Sequence, residues 1–151
     1  MTKGPQEDYE AIDGPRAAAK IVNSLDSDAR ERLLKAIGEQ DPALMQKIMA
    51  NIFTFEDIAT LTPTSVQRVI KEVDHKDLVI SLKTASARLK VILFKNMSSR
   101  KRQLVEEDFS ILPKIPISEV EAAQRRIAKR VDELRTEGIV RAEADAEELV
   151  P

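Results

Sequence analysis

The sequence predicts an all-α protein. Leu, Ile, Ala, Lys, Arg and Glu dominate, whereas aromatics make up 3% and glycines number only 4. Such a composition suits helices better than sheets. The second observation is a series of helix starts, in which proline or a capping side chain precedes an apolar face of helical period.

Residues 1–12 are polar, with a glycine and a proline, and are expected to form a disordered tail. A first unit follows over residues 13–52. PRAAAKIVNSL places Pro15 at the first helical position, where its missing N–H costs nothing. SDARERLLKAIGEQ has Ser27 as its expected N-cap and Gly38 as its expected stop. DPALMQKIMANIF opens with Asp41 as cap and Pro42 at the first position. Three short helices with Leu, Ile and Met faces and tight turns resemble one unit of a helical stack. Ala17, Ile21, Leu33, Leu34, Ile37, Leu44 and Ile48 supply more apolar surface than about forty residues bury alone. Stacking on a neighbour is the expected remedy.

The helical period lapses at IFTF, and Ile52, Phe53 and Phe55 mark an expected hinge at 53–55. A second subdomain, 56–140, is expected to hold six helices. Its pieces are FEDIATL, then TPTSVQRVIKEV with Thr62 as cap and Pro63 at the first position, DHKDLVISLKTA, SARLKVILFKNM and SSRKRQLVEEDF. Pro113 and Pro116 in ILPKIPI force an extended crossing. In the last helix, Ser118 and Glu121 form an expected capping box, Ile127, Val131 and Leu134 a stripe, and Gly138 the stop. Residues 141–151 are acidic and expected to fray.

Several functions are disfavoured at once. A net charge of −2 gives no basic surplus for nucleic acid. No cysteine is present, which fits a reducing cytoplasm. No apolar run is long enough to span a bilayer, and the polar start lacks the apolar core of a signal peptide. His75 is the only histidine, read as an exposed loop residue just before a helix. No phosphate loop, dinucleotide fingerprint or HExxH occurs. The sequence therefore predicts no catalytic residues, no metal and no cofactor, and a binding or mechanical role rather than an enzyme.

SSRKRQLVEEDF poses the sharpest question. Arg100, Lys101 and Arg102 lead the helix, and Glu106, Glu107 and Asp108 close it. A helix prefers acids at its start and bases at its end, by about 0.3–1 kcal/mol each. Local stability does not account for this order.

Several stretches together resemble the C-terminal region of the FliG family of bacterial flagellar rotor switch proteins, from about Gly14 to Val140. GPRAAAKIVNSLD resembles the start of the family's last armadillo-like unit. IFTFEDI resembles its Met-Phe-x-Phe hinge, with Ile52 where methionine is usual. SVQRVIKEVDHKDLVISLKTA, LFKNMSSR with the following EED, and SEVEAAQRRIAKRVDELRTEGIV complete the order and spacing.

The resemblance implies an armadillo-like helical unit followed by a charge-bearing subdomain, arranged as a superhelix. It implies a ridge of charges on the rotor rim that meets the cytoplasmic loop of a MotA-type stator and transmits torque. The ridge residues fall on Lys83, Arg100, Glu107 and Asp108. On a working ridge Glu107 and Asp108 are expected to be solvent-exposed; a buried pairing of Asp108 with Lys101 or another base is the alternative its place on the helix leaves open. A fifth family charge, an arginine, falls on Pro116, while Lys101 and Arg102 replace two small residues and add charge nearby. The implied partners are neighbouring FliG or FliM subunits in a ring at the basal body, on the cytoplasmic face of the inner membrane, without insertion into it. The family's N-terminal and middle domains have no counterpart here. The chain is then a fragment of a rotor protein or a short paralogue, and its initiating methionine with a family-unlike tail favours the second. A helical adaptor regulating flagellar assembly or another complex is the alternative function.

Overall fold

Gly14–Ser24 (α1), Ser27–Gln40 (α2) and Pro42–Asn51 (α3) form the first helices of the protein, described by a computed structural model for residues 14–144. The expected tail at 1–12 and residues 145–151 of the acidic end lie outside the described residues. The cap of α2 is Asp26 rather than Ser27: its backbone is extended and its carboxylate accepts from the Ala29 N–H at 2.8 Å. A carboxylate also answers the positive end of the helix, which a hydroxyl does not.

Gly38 does not stop α2, which runs two residues further to Gln40. Asp41 makes the reversal instead. Its N–H donates to the Ile37 carbonyl at 2.7 Å, and its carboxylate accepts from the Leu44 N–H at 3.0 Å. Gly38 serves a different need, since a Cβ there would run into Met45 Sδ on α3. The core of this unit is small. Ala19, Val22 and Ile48 are buried, with Leu33, Leu34, Ile37, Leu44 and Ile52 only partly covered.

The chain divides into two compact units, Met1–Ile52 and Phe53–Pro151. The second begins with a 3-10 turn, Phe55–Thr60, whose Asp57 carboxylate accepts from the Thr54 N–H at 2.9 Å. Helices α4 (Pro63–Glu72), α5 (His75–Ser81), α6 (Ala87–Lys95), α7 (Ser99–Ser110) and α8 (Ile117–Thr136) follow. Phe53 and Phe55 are buried in this unit's core, whereas Ile52 packs in the core of the first. All described elements are helical apart from an isolated bridge between Leu61 and Ala142.

Val66, Leu89, Leu93, Val105, Val131 and Leu134 are wholly excluded from solvent at the centre of the second unit. Each buried side chain of this size contributes about 1.5–3 kcal/mol. The extended crossing between α7 and α8 buries Leu112 and Ile115 against Ile80, Val120 and Ala123.

Helix α8 starts earlier than a Ser118–Glu121 capping box allows. Pro116 ends the crossing at φ −56°, ψ 143°, and its carbonyl accepts from Glu119 and Val120 N–H at 3.0 and 3.3 Å. Ser118 therefore lies inside the first turn. At the other end the glycine stop holds: Gly138 has φ +77°. Gly138 N–H donates to the Arg135 carbonyl and Ile139 N–H to that of Leu134, which closes the helix.

Candidate protein-interaction ridge

Helix α7 is anchored by one apolar edge. Val105 is fully buried, and Phe109 and Leu112 pack partly covered against the core. Ser98 caps the start, its hydroxyl accepting from the Lys101 N–H at 3.1 Å. The opposite side of the helix faces solvent, and its charges sort into three groups.

On one flank stands a row of three side chains. Lys101 Nζ lies 2.9 Å from His75 Nδ1, and His75 Nε2 lies 2.7 Å from Asp108 Oδ2. An ammonium only donates, so in the neutral ring Nδ1 accepts and the proton sits on Nε2, facing the carboxylate. His75 is thus the first residue of α5, half-buried and engaged at both nitrogens, not an exposed loop residue. The reason is tertiary: α5 packs beside α7 and brings the ring between two side chains seven positions apart. Asp108 has found a base, and that base is His75.

On another flank, Arg102 pairs with Glu106 at 2.9 Å and lies over the Phe94 ring at 5.3 Å. The extra charges Lys101 and Arg102 are therefore both tied to neighbours. Between these groups runs the outward stripe of Arg100, Leu104, Glu107 and, just past the last turn, Ile111. Glu107 accepts from the Gln103 amide at 3.0 Å. Of the six charged side chains of α7, only Arg100 and Glu107 contact neither an opposite charge nor His75.

Lys83, between α5 and α6, is exposed, with Nζ 5.9 Å from the centre of the Phe109 ring. Pro116, where the expected fifth charge would stand, is exposed and begins α8. Four of the sequence-selected charges, Lys83, Arg100, Glu107 and Asp108, thus lie on or against α7. His75 was missed as a member of this assembly, because no local pattern joins positions 33 residues apart.

Two further features bear on the chemistry. An open groove of about 550 Å³ beside the ridge is lined by Ile70, Val73 and Met97 with Lys71, Lys95 and Lys101, and no acid enters it. Behind the ridge, Arg126 of α8 forks onto Asp77 of α5 at 3.0 and 2.8 Å. Arg130 joins Glu72 of α4 at 3.0 Å, and Arg68 joins the same carboxylate group at 2.9 Å. Hydrogen bonds from Arg130 and then Arg68 hold the Glu72 carboxyl below its ordinary range. The hydrogen bond to Asp77 raises the Arg126 guanidinium. These bridges fix α4 and α5 against α8.

Among the described residues, no three His, Asp or Glu side chains gather as a metal site, and no helix is long and apolar enough to cross a membrane. A family model of the FliG C-terminal domain matches residues 35–141. The chain is 35% identical over 145 residues to the flagellar motor switch protein FliG of Bacillus subtilis, covering 95% of this chain and 43% of that protein. Against the FliG of Thermotoga maritima it is 35% identical over 143 residues, covering 94% and 43%. The crystal structure of FliG residues 86–343 from H. pylori superimposes with a TM-score of 0.70 at 34% identity, over 87% of this chain and 62% of that one. The chain spans less than half the length of these two curated relatives.

Proposed function

The chain belongs to the FliG C-terminal domain family, and from that membership we propose that it works in the flagellar rotor, contacting the stator through α7. In this reading the cytoplasmic loop of a MotA-type stator subunit presents charges opposite to Arg100 and Glu107, with Lys83 and Asp108 at the margins. Torque passes through that contact, and rotation switching follows from how the ridge is presented. The work is done at the cytoplasmic face of the basal body.

The observation that carries the reading is the pair Arg100 and Glu107, opposite in sign, two turns apart and unpaired on a helix whose other charges are all satisfied. Exposed ion pairs are worth about 0–1 kcal/mol each. Contacts of that strength form and release fast enough for a passing rotor. The first unit supports assembly into a ring with neighbouring FliG or FliM subunits. Ile21 is 61% and Met49 51% exposed there, beside a core of three buried residues. The junction between Ile52 and Phe53, whose side chains serve different cores, is the hinge of this mechanism.

Deleting the gene and scoring motility and filament number tests the reading. Filamented but paralysed cells are expected, rescued by the wild-type gene but not by Arg100→Glu or Glu107→Lys. Absent filaments would favour the adaptor of flagellar assembly, and normal swimming would sink the motor role.

A further inference from the structure

The groove beside the ridge lacks a counter-charge. Lys71, Lys95 and Lys101 stand around it, Ile70, Val73 and Met97 give it apolar lining, and no acid borders it. Lys101 is held by His75. Lys71 and Lys95 are exposed, and among the described residues neither has an ion-pair partner. Three ammonium groups gathered without an acid repel one another, and an anion between them relieves the repulsion.

The same chain carries such an anion within reach. Past Gly138 it returns to the start of α4, where Thr62 N–H donates to the Arg141 carbonyl at 3.0 Å and Arg141 N–H to Ser65 Oγ at 2.8 Å. Next in sequence come Glu143, Asp145, Glu147 and Glu148, with no base among them, and then Leu149 and Val150. Ile70 and Lys71 of the groove stand on the same helix as Ser65, about 8–9 Å further along its axis. Residues 143–151 span about 13 Å if wound as a helix and about 30 Å if extended. Either length covers that distance.

We propose that the acidic segment 143–150 docks in this groove of its own chain. Its carboxylates meet Lys71, Lys95 and Lys101, and Leu149 and Val150 cover Ile70, Val73 and Met97. Charge and reach choose this occupant: it supplies acids and then apolar side chains, as the groove supplies bases and an apolar lining. The contact is independent of the stator reading. Because the segment is tethered, its effective concentration at the groove is of the order of millimolar, so weak exposed pairs suffice. Helix α7 has no acid in its first turn, and the docked segment brings negative charge to that positive end from elsewhere in the chain. Docked, it also closes the groove to any other anionic partner; released, it opens it.

The test uses the full 151-residue chain, which has no cysteine, so that Pro151→Cys offers a single attachment for a nitroxide label. The amide NMR signals of Lys71, Lys95 and Met97 are expected to broaden at low salt. They should recover severalfold in intensity at about 1 M salt, where charges act over only about 3 Å. Combining Asp145→Asn, Glu147→Gln and Glu148→Gln in the labelled chain should restore the groove signals at low salt. Lys71→Gln with Lys95→Gln should restore that of Met97, and both lysines are exposed, so this variant keeps the fold. The Arg141 signal, beside the anchor at Ser65, is the control and should not change between variants. Groove signals that never broaden, or that broaden equally in the acid-neutralised chain, would overturn the proposal. So would broadening caused only by a label on a separate copy, which would put the segment of a second molecule in the groove.

Discussion

His75 Nε2 stands 2.7 Å from Asp108 Oδ2, across the gap between α5 and α7. With Lys101 at the other ring nitrogen, one imidazole holds two side chains of α7 seven positions apart. The side chains of His75 and Asp108 are 36% and 46% exposed, so water screens the pair. His75→Ala and Asp108→Asn should each cost less than about 1 kcal/mol, and the double variant should show coupling of about 0.2–1 kcal/mol. Denaturant unfolding of the four proteins measures this. Unfolding of Asp108→Asn at room temperature would instead mean a buried charge. Nitrogen-15 NMR of the neutral ring should find the proton on Nε2.

Glu72 predicts an acid dependence. Its carboxyl is held below the ordinary range by hydrogen bonds from Arg130 and Arg68. A carboxylate with a depressed folded value binds protons more readily when unfolded, so its stabilisation is complete above the unfolded value of about 4.3. It is lost as pH falls through the lower folded value. Thermal melts of wild type should therefore drop more steeply than those of Glu72→Gln below about pH 4.3. Parallel curves for the two proteins would remove Glu72 from the account.

Much of this organisation was legible in the sequence because it is local. Asp41–Pro42 and Thr62–Pro63 predict helix starts, since a cap and a missing N–H act within one turn, and both start helices as expected. Gly138 predicts a stop for the same reason. The misreadings have physical causes as well. Ser118 and Glu121 match a capping pattern, but Pro116 closes the first turn before them. Gly38 looks like a stop in sequence, whereas its small size answers to Met45 on the next helix. The ridge residues were found through family resemblance; which of them are paired depends on His75, whose position only the packing of α5 reveals.

Gly38 gives a prediction with two opposed terms. Alanine is favoured over glycine inside a helix by about 1 kcal/mol. Here the new Cβ would press on Met45 Sδ, and the methionine must change rotamer or α3 must shift. Gly38→Ala alone should therefore gain little or destabilise. In a Met45→Ala background, where nothing opposes the methyl, the same change should stabilise by about 0.5–1 kcal/mol relative to Met45→Ala. Chemical denaturation of the four proteins gives the coupling. Equal effects in both backgrounds would show that the glycine is not needed for the approach of the two helices.

The order of charges on α7 makes stability and function separable. Arg100 sits in the first turn and Glu107 in the last, each at the end of the helix that its charge disfavours. Exchanging them, as Arg100→Glu with Glu107→Arg, keeps the net charge and places both signs where the helix dipole favours them. The exchanged protein should be as stable as wild type or more so, by up to about 1 kcal/mol, since each end contributes about 0.3–1 kcal/mol before solvent screening. Motility should nevertheless fall, because each partner charge now meets its own sign. Swimming speed in a strain carrying only the exchanged gene, beside melts of the purified protein, checks both halves. A protein that melts higher and drives motility normally would show that the order of these charges is immaterial to the motor. One that melts lower would show that contacts within the fold, such as the Gln103 amide on Glu107, outweigh the helix dipole.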